Sequence, residues 1–224
     1  RQTADERAPQ ELPVLLLYNI DPAWEPQEQE EAVTATQELI DALRQVGHPV
    51  TPVQVNDTDL RRFLSPYDPG RYVVLNWCEA LPGIAHSDAL AAETLEQMGY
   101  AYSGSPPPVL RLSGNKEKVK EALLRAGVPT PQGCVCTPER SAPWDRFPAI
   151  VKPLREHCSI GITPESVVLD RDSLLERIRF VTDTYDQPAL VEEFIDGREF
   201  RVTLWGNDEV EVLPPVEMEF SAFS

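Results

Sequence analysis

The stretch FPAIVKPLREHCSIGI (147–162) opens as an apolar strand, ends that strand in Lys152 and Pro153, and runs into a polar loop closed by Gly161 and Ile162. A lysine at the end of an apolar run costs desolvation unless it meets an anion. Two readings stand. Either Lys152 snorkels its ammonium into solvent over an aliphatic stem, or it faces a negatively charged ligand. The rest of the chain decides between them.

Before this stretch, short apolar runs alternate with helical patterns. PVLLLYNI (13–20), HPVTPVQV (48–55) and RYVVLNWC (71–78) read as strands, the first and third as strands buried on both faces. Between them, residues 28–47 place Ala32, Ala35, Leu39, Leu43 and Val46 on one helical face, with Gly47 as the stop. TDLRRFL (58–64) reads as a short helix with a Thr or Asp cap, and HSDALAAETLEQMG (86–99) as a helix capped by Ser87 and stopped by Gly99. Strand–helix alternation predicts an α/β domain with a parallel sheet over 13–104. Residues 1–12 are polar and charged, and the expectation is a flexible arm.

YSGSPPP (102–108) is a turn, and LSGNKEKVKEALLRAGVPTP (112–131) reads as one helix ending at Gly127, so 105–131 is a connecting region. Beyond it strands dominate. GCVCT, FPAIVKP, GITPESVVL, ALVEEFI, EFRVTLWGN and EVEVLPPVEMEF are each predicted as a strand, and RDSLLERIRFVTDTY as a helix. A strand-rich run over 132–224 predicts an α+β domain with an antiparallel sheet.

A formal net charge of −17 on 224 residues disfavours nucleic acid and anionic membrane as partners, while a local basic pocket can still hold a small anion. No apolar run reaches the length of a membrane helix, and no signal-peptide pattern opens the residues given. Because the first residue is Arg, the N-terminus is read as processed or trimmed. Cys78, Cys134, Cys136 and Cys158 lack zinc-ligand spacing and read as reduced thiols, which points to a cytoplasmic setting.

Four segments in order carry a resemblance: YSGS (102–105), NKEKVKEALLRAGVPTP (115–131), FPAIVKPLREHCSIGI (147–162) and ALVEEFIDGREFRVTLWG (189–206). Together they resemble the ATP-grasp carboxylate–amine ligases, most closely the D-alanine–D-alanine ligases, and the α/β half resembles that family's N-terminal, pre-ATP-grasp domain. The resemblance implies an ATP-dependent ligase that joins a carboxylate to an amine through an acyl phosphate, with ATP and Mg²⁺ as cofactors and amino acids as small-molecule substrates. It admits a homodimer. It implies that Lys152 and Lys116 reach the nucleotide phosphates, a task suited to an ammonium with three donors. Lys116, Lys118 and Lys120 lie on one short helical stretch and any of them can be read as solvated charge; the match of Asn-Lys to the family's Asp-Lys selects Lys116 for the phosphates.

HCSIGI corresponds to the family's phosphate flap, commonly Gly-Ser-Ser-x-Gly. Ser159 and Gly161 match it; His157 and Cys158 stand where the family has Gly and Ser. His157 either touches phosphate or lies exposed, and the exposed reading is preferred. The resemblance further implies adenine held by backbone near Glu193 and Ile195, Glu192 reaching the base's amino group, and Glu199 accepting from the ribose. Phe147, Ile150 and Leu213 read as core packing before purine wall. Glu25 and Glu79, in loops after the first and third strands, are candidates for contacting substrate. Catalytic residues stay unassigned. The family's magnesium ligands lie downstream of Ser224, so no metal ligand is expected here, and the chain is expected to be a C-terminally incomplete piece, inactive alone. Three alternatives remain: a non-catalytic nucleotide-binding or regulatory module, a scaffold with incidental lysines, and a carboxylase-type ATP-grasp enzyme.

Overall fold

A computed structural model describes residues 11–140 and 144–219. The expected arm over 1–12 lies, except for Glu11 and Leu12, outside the described residues. The chain divides into two compact units, 1–119 and 120–224.

The first unit is built on β1 (Val14–Asn19), β2 (Val50–Val55), β3 (Val73–Trp77) and β4 (Ala101–Tyr102), ordered β2-β1-β3-β4 and all parallel. Alternation along β1 divides its side chains between two cores. Leu15 and Leu17 pack with Val53, Val55, Val74 and Leu95; Val14 and Leu16 pack with Ile40 and Val50. That is why VLLLYN is apolar throughout. The helices are α1 (Pro26–Gln45), α2 (Leu60–Leu64), α3 (Asp88–Met98) and α4 (Pro107–Ser113).

Several local expectations are corrected. On α1, Ala35 and Val46 are exposed, and the inward face runs through Ala32, Thr36, Leu39, Ile40 and Leu43. Thr36 is buried despite its hydroxyl, which shifts the apolar stripe by one residue. Ser87 does not cap α3 by its side chain; its hydroxyl accepts from the Leu81 N–H (2.7 Å) and donates to the Ile84 carbonyl (2.5 Å), tying the preceding loop instead. The single helix predicted over 112–127 is two. α4 begins within the proline run, since proline suits a first helical turn. α5 (Lys116–Arg125) begins afresh where Asn115 Oδ1 accepts from the N–H groups of Glu117 (3.0 Å) and Lys118 (3.2 Å).

The second unit carries an antiparallel sheet ordered β5-β8-β6-β7, from β5 (Gly133–Cys136), β6 (Ala149–Pro153), β7 (Val167–Val168) and β8 (Ala189–Glu193). Helix α6 (Arg171–Tyr185) covers one face, capped by Asp170, whose side chain accepts from the Ser173 N–H at 2.9 Å. Cys136, Ala149, Val151, Ala189 and Val191 point into that core with Leu174, Ile178 and Val181. By alternation Ile150, Lys152, Leu190 and Glu192 fall on the opposite face.

GITPESVVL is not one strand. Thr163 and Pro164 start a short 3₁₀ helix (Pro164–Ser166), and only Val167–Val168 pair, as β7. EFRVTLWGN and EVEVLPPVEMEF each break into two short strands, which pair crosswise. β9 (Glu199–Arg201) joins β12 (Val216–Met218), and β10 (Leu204–Trp205) joins β11 (Glu211–Val212). Pro214 and Pro215, lacking N–H donors, separate the second pair. Among the described residues no helix is long and apolar enough to cross a membrane.

Candidate functional site

Lys152 sits one residue before the end of β6 on the face away from α6, and Glu192 sits one residue before the end of antiparallel β8 on the same face. The register pairs Ile150 with Glu192 and Lys152 with Leu190, so the two charged residues are diagonal neighbours. The Lys152 ammonium donates to Glu192 Oε1. From the other side Lys120 of α5 donates to Glu192 Oε2 at 2.7 Å. Of the two readings of Lys152, the one that places its ammonium in solvent is therefore corrected: its side chain is 22% exposed and paired with a carboxylate that is 9% exposed. Lys120 is corrected likewise, from solvated charge to a half-buried partner with 14% of its side chain exposed.

Gly133 of β5 lies opposite Glu192. A Cβ there would stand 2.8 Å from the Val191 carbonyl oxygen and 3.0 Å from Glu192 Cβ, so glycine allows the close approach. Burial alone pushes the Glu192 carboxyl up, but hydrogen bonds from Lys120 and Lys152 outweigh it and hold the group below the ordinary glutamate range. Two ammonium groups thus share one carboxylate, and the three side chains together carry a net charge of one positive in a partly desolvated place.

The next residues continue along the strand end. Glu193 accepts from Arg146 at 2.7 Å, a bond that holds its carboxyl below the usual range, and its N–H donates to the Gln132 carbonyl. Ile195 lies past the end of β8 and is 67% exposed; Glu199 is exposed on β9 opposite Met218. Phe147 packs against the α6-side core, Ile150 is half-buried, and the Leu213 N–H donates to the Thr203 carbonyl.

The loop after β6 exposes His157, Cys158, Ser159 and Ile160. Cys158, Ser159 and Gly161 adopt left-handed backbone, with φ of 51°, 62° and 74°. The base of the loop is fixed while its tip is not buried. Arg177 of α6, itself buried, donates to the Gly161 carbonyl (2.9 Å) and to Ser166 Oγ (2.8 Å). Arg155 N–H donates to Gln187 Oε1 at 2.6 Å. A surface hollow of about 570 Å³ beside α6 is lined by Glu165, Asp170 and Glu176 as well as Arg177; its carboxylates suit a triphosphate poorly. Among the described residues no three His, Cys, Asp or Glu side chains gather to hold a metal ion.

Residues 134–222 match the family model described as D-ala D-ala ligase C-terminus. A D-alanine–D-alanine ligase of Gluconobacter oxydans is 32% identical over 186 residues, 82% of this chain and 59% of that protein. A protein of Sinorhizobium fredii described as uncharacterized is 36% identical over 190 residues, 81% of this chain and 54% of that protein. Among solved structures, the Helicobacter pylori D-alanine–D-alanine ligase superposes with a TM-score of 0.68 at 16% identity, covering 94% of this chain and 76% of that one. The Bacillus anthracis enzyme complexed with ATP gives 0.64 at 21% identity, covering 95% and 72%. The chain is a D-alanine–D-alanine ligase-like ATP-grasp protein. It spans little more than half the length of these curated relatives.

In the ATP-grasp chain the remaining candidates are placed as follows. Lys116 opens α5, half-buried, four residues before Lys120. Glu25 precedes α1, and its N–H is held by Glu28 at 3.0 Å, a helix-start contact. Glu79 follows β3, and its N–H donates to Asn19 Oδ1 at the end of β1. That junction is where the strand order reverses, the usual ligand crevice of an open parallel sheet. Sequence reading passed over Lys120 and Arg177. A lysine run on one helix does not show which member turns inward, and nothing in a helical arginine announces burial.

Proposed function

We propose that this chain is the nucleotide-binding part of an ATP-dependent ligase joining a carboxylate to an amine, D-alanine–D-alanine ligase-like, working in a cytoplasmic setting on amino-acid substrates. The observation that carries the reading is the cluster of Lys152, Glu192 and Lys120, whose net positive charge awaits an anion. The triphosphate is the anion of choice: Lys152, held among the described residues through one carboxylate oxygen, exchanges Glu192 for phosphate oxygens. The resemblance adds Lys116 as a second ammonium at the phosphates, and Ser159 and Gly161, as small residues, as the place where backbone N–H groups close over them. Glu192 then accepts from the adenine amino group, backbone near Glu193 and Ile195 holds the ring edge, and Glu199 accepts from the ribose.

In the reaction a substrate carboxylate oxygen bonds to the γ-phosphorus and ADP leaves. The amine then bonds to the acyl carbon, loses a proton, and expels phosphate. Positioning and charge stabilisation by lysines are the protein's share of the first step. Of the two candidate acids, Glu79, which follows β3 at the crevice of the parallel sheet, is the one proposed to hold a substrate amino group. Among the described residues no three His, Cys, Asp or Glu side chains gather where Mg²⁺ could be held.

Replacement of the flap's Gly and Ser by His157 and Cys158 favours one rival, a nucleotide-binding module without ligase chemistry. Thermal unfolding with and without ATP and Mg²⁺ tests binding. Saturation near a hundred times the dissociation constant adds about 2.7 kcal/mol. Lys152→Ala should lose that gain. No gain in the parent overturns the reading, and a gain without ADP formation on any amino-acid pair supports the rival.

A further inference from the structure

Lys120 stands in no role so far, yet it is the most fully engaged cation of the cluster. Its ammonium donates to Thr130 Oγ1 (2.9 Å), to the Pro131 carbonyl (2.6 Å) and to Glu192 Oε2 (2.7 Å). An ammonium has three protons, so every donor is placed. Two of the three acceptors belong to the segment just before β5, so Lys120 is anchored independently of Glu192. Lys152 differs: among the described residues its ammonium is engaged by Glu192 alone, and its side chain is more exposed. Of the two lysines, Lys152 is built to let go and Lys120 to stay.

We propose that Lys120 is a positioning residue for base selection, holding Glu192 by Oε2 so that Oε1 remains a carboxylate acceptor for an exocyclic amino group once Lys152 turns to phosphate. This rests on the nucleotide reading above. Without Lys120, the departure of Lys152 would leave a buried carboxylate with no counter-ion. Such a group takes up a proton. A protonated carboxyl donates as well as accepts, and therefore tolerates a 6-oxo group where a carboxylate rejects it. Fixed ionisation of Glu192 is what separates a 6-aminopurine from a 6-oxopurine, and a site built to bond an N–H rejects the analogue lacking it.

The test compares the dissociation constants of ATP and ITP, which differ at that position, by titration calorimetry on the protein and its variants. The parent should prefer ATP by about tenfold or more, the size expected for a hydrogen bond to a charged group. Lys120→Met should retain triphosphate binding through Lys152 and shrink the preference to within about threefold, and Lys120→Arg should restore it. Lys120→Gln keeps an N–H donor, one bond shorter and without the charge, should narrow the preference in the same way, and carries the test if Lys120→Met does not fold. An ATP-to-ITP ratio unchanged in the Met or Gln variant overturns the role of Lys120 while leaving the ATP site standing. Failure of the parent to bind either nucleotide overturns the nucleotide reading itself.

Discussion

Replacing Glu192 by glutamine keeps the side chain's shape and removes the one charge that Lys120 and Lys152 share. Two mostly buried ammonium groups would then face each other across a neutral amide. Breaking such a pair from one side costs about 3 kcal/mol. Lys152→Ala is milder, near 1 kcal/mol, because Lys120 still neutralises Glu192. It is nonetheless no neutral surface change, so a nucleotide experiment on that variant must read the ligand-induced shift against the variant's own baseline. Urea unfolding of both variants beside the parent checks the order. The pH dependence has a definite sign. The folded-state pKa of Glu192 lies below its ordinary value of 4.5, so its stabilisation is complete above that value and fades as pH falls through the folded pKa. The gap between parent and Glu192→Gln should be flat above 4.5 and should narrow as the pH is taken progressively below it. A gap that widens on acidification would refute the pairing.

Gly161 lies in the loop that leads from β6 to the 3₁₀ helix ahead of β7. Its φ is 74°, and a Cβ added there would meet Pro153 Cγ at 2.6 Å and the Tyr185 ring at 2.9 Å. Gly161→Ala should lower stability by about 2–3 kcal/mol, from left-handed backbone plus overpacking. Protease cleavage within 155–163 should rise as the Arg177 bond to the Gly161 carbonyl loosens; unchanged cleavage would mean that the bond survives. At this scale the sequence was readable where one rule acted alone. The continuous apolar run of β1 and the capped α6 of Arg171–Tyr185 have no competing signal. GITPESVVL was misread because its β-branched residues suit a strand while Pro164 suits a helix start, and the proline prevailed. The candidate site was half legible. Lys152 and Glu192 declare themselves by a charge at the end of an apolar strand, whereas Lys120 is distinguished from Lys118 by contacts 10, 11 and 72 residues away in sequence. Periodicity carries no information about such contacts.

Across the whole molecule, charge and apolar exposure act in opposite directions. The net charge of −17 keeps copies apart. In the second unit, however, the short pair β10–β11 sets Leu204 directly opposite Val212, with 64% and 63% exposure, beside Trp205 at 70%. A small two-stranded ribbon with apolar side chains in water is a ready contact for a second copy. At 10 mM salt the repulsion reaches about 30 Å and should hold the chain monomeric; at 1 M it reaches only about 3 Å, so the apolar ribbon decides. Sedimentation velocity should therefore show association that grows with sodium chloride. Leu204→Thr combined with Val212→Thr keeps the β-branched character or gains it, removes apolar surface, and should abolish the salt-driven association. Because both positions are exposed, its effect on unfolding should stay within about 0.5 kcal/mol. Association that weakens as salt rises would instead point to ion pairs between copies, and would remove the ribbon from consideration.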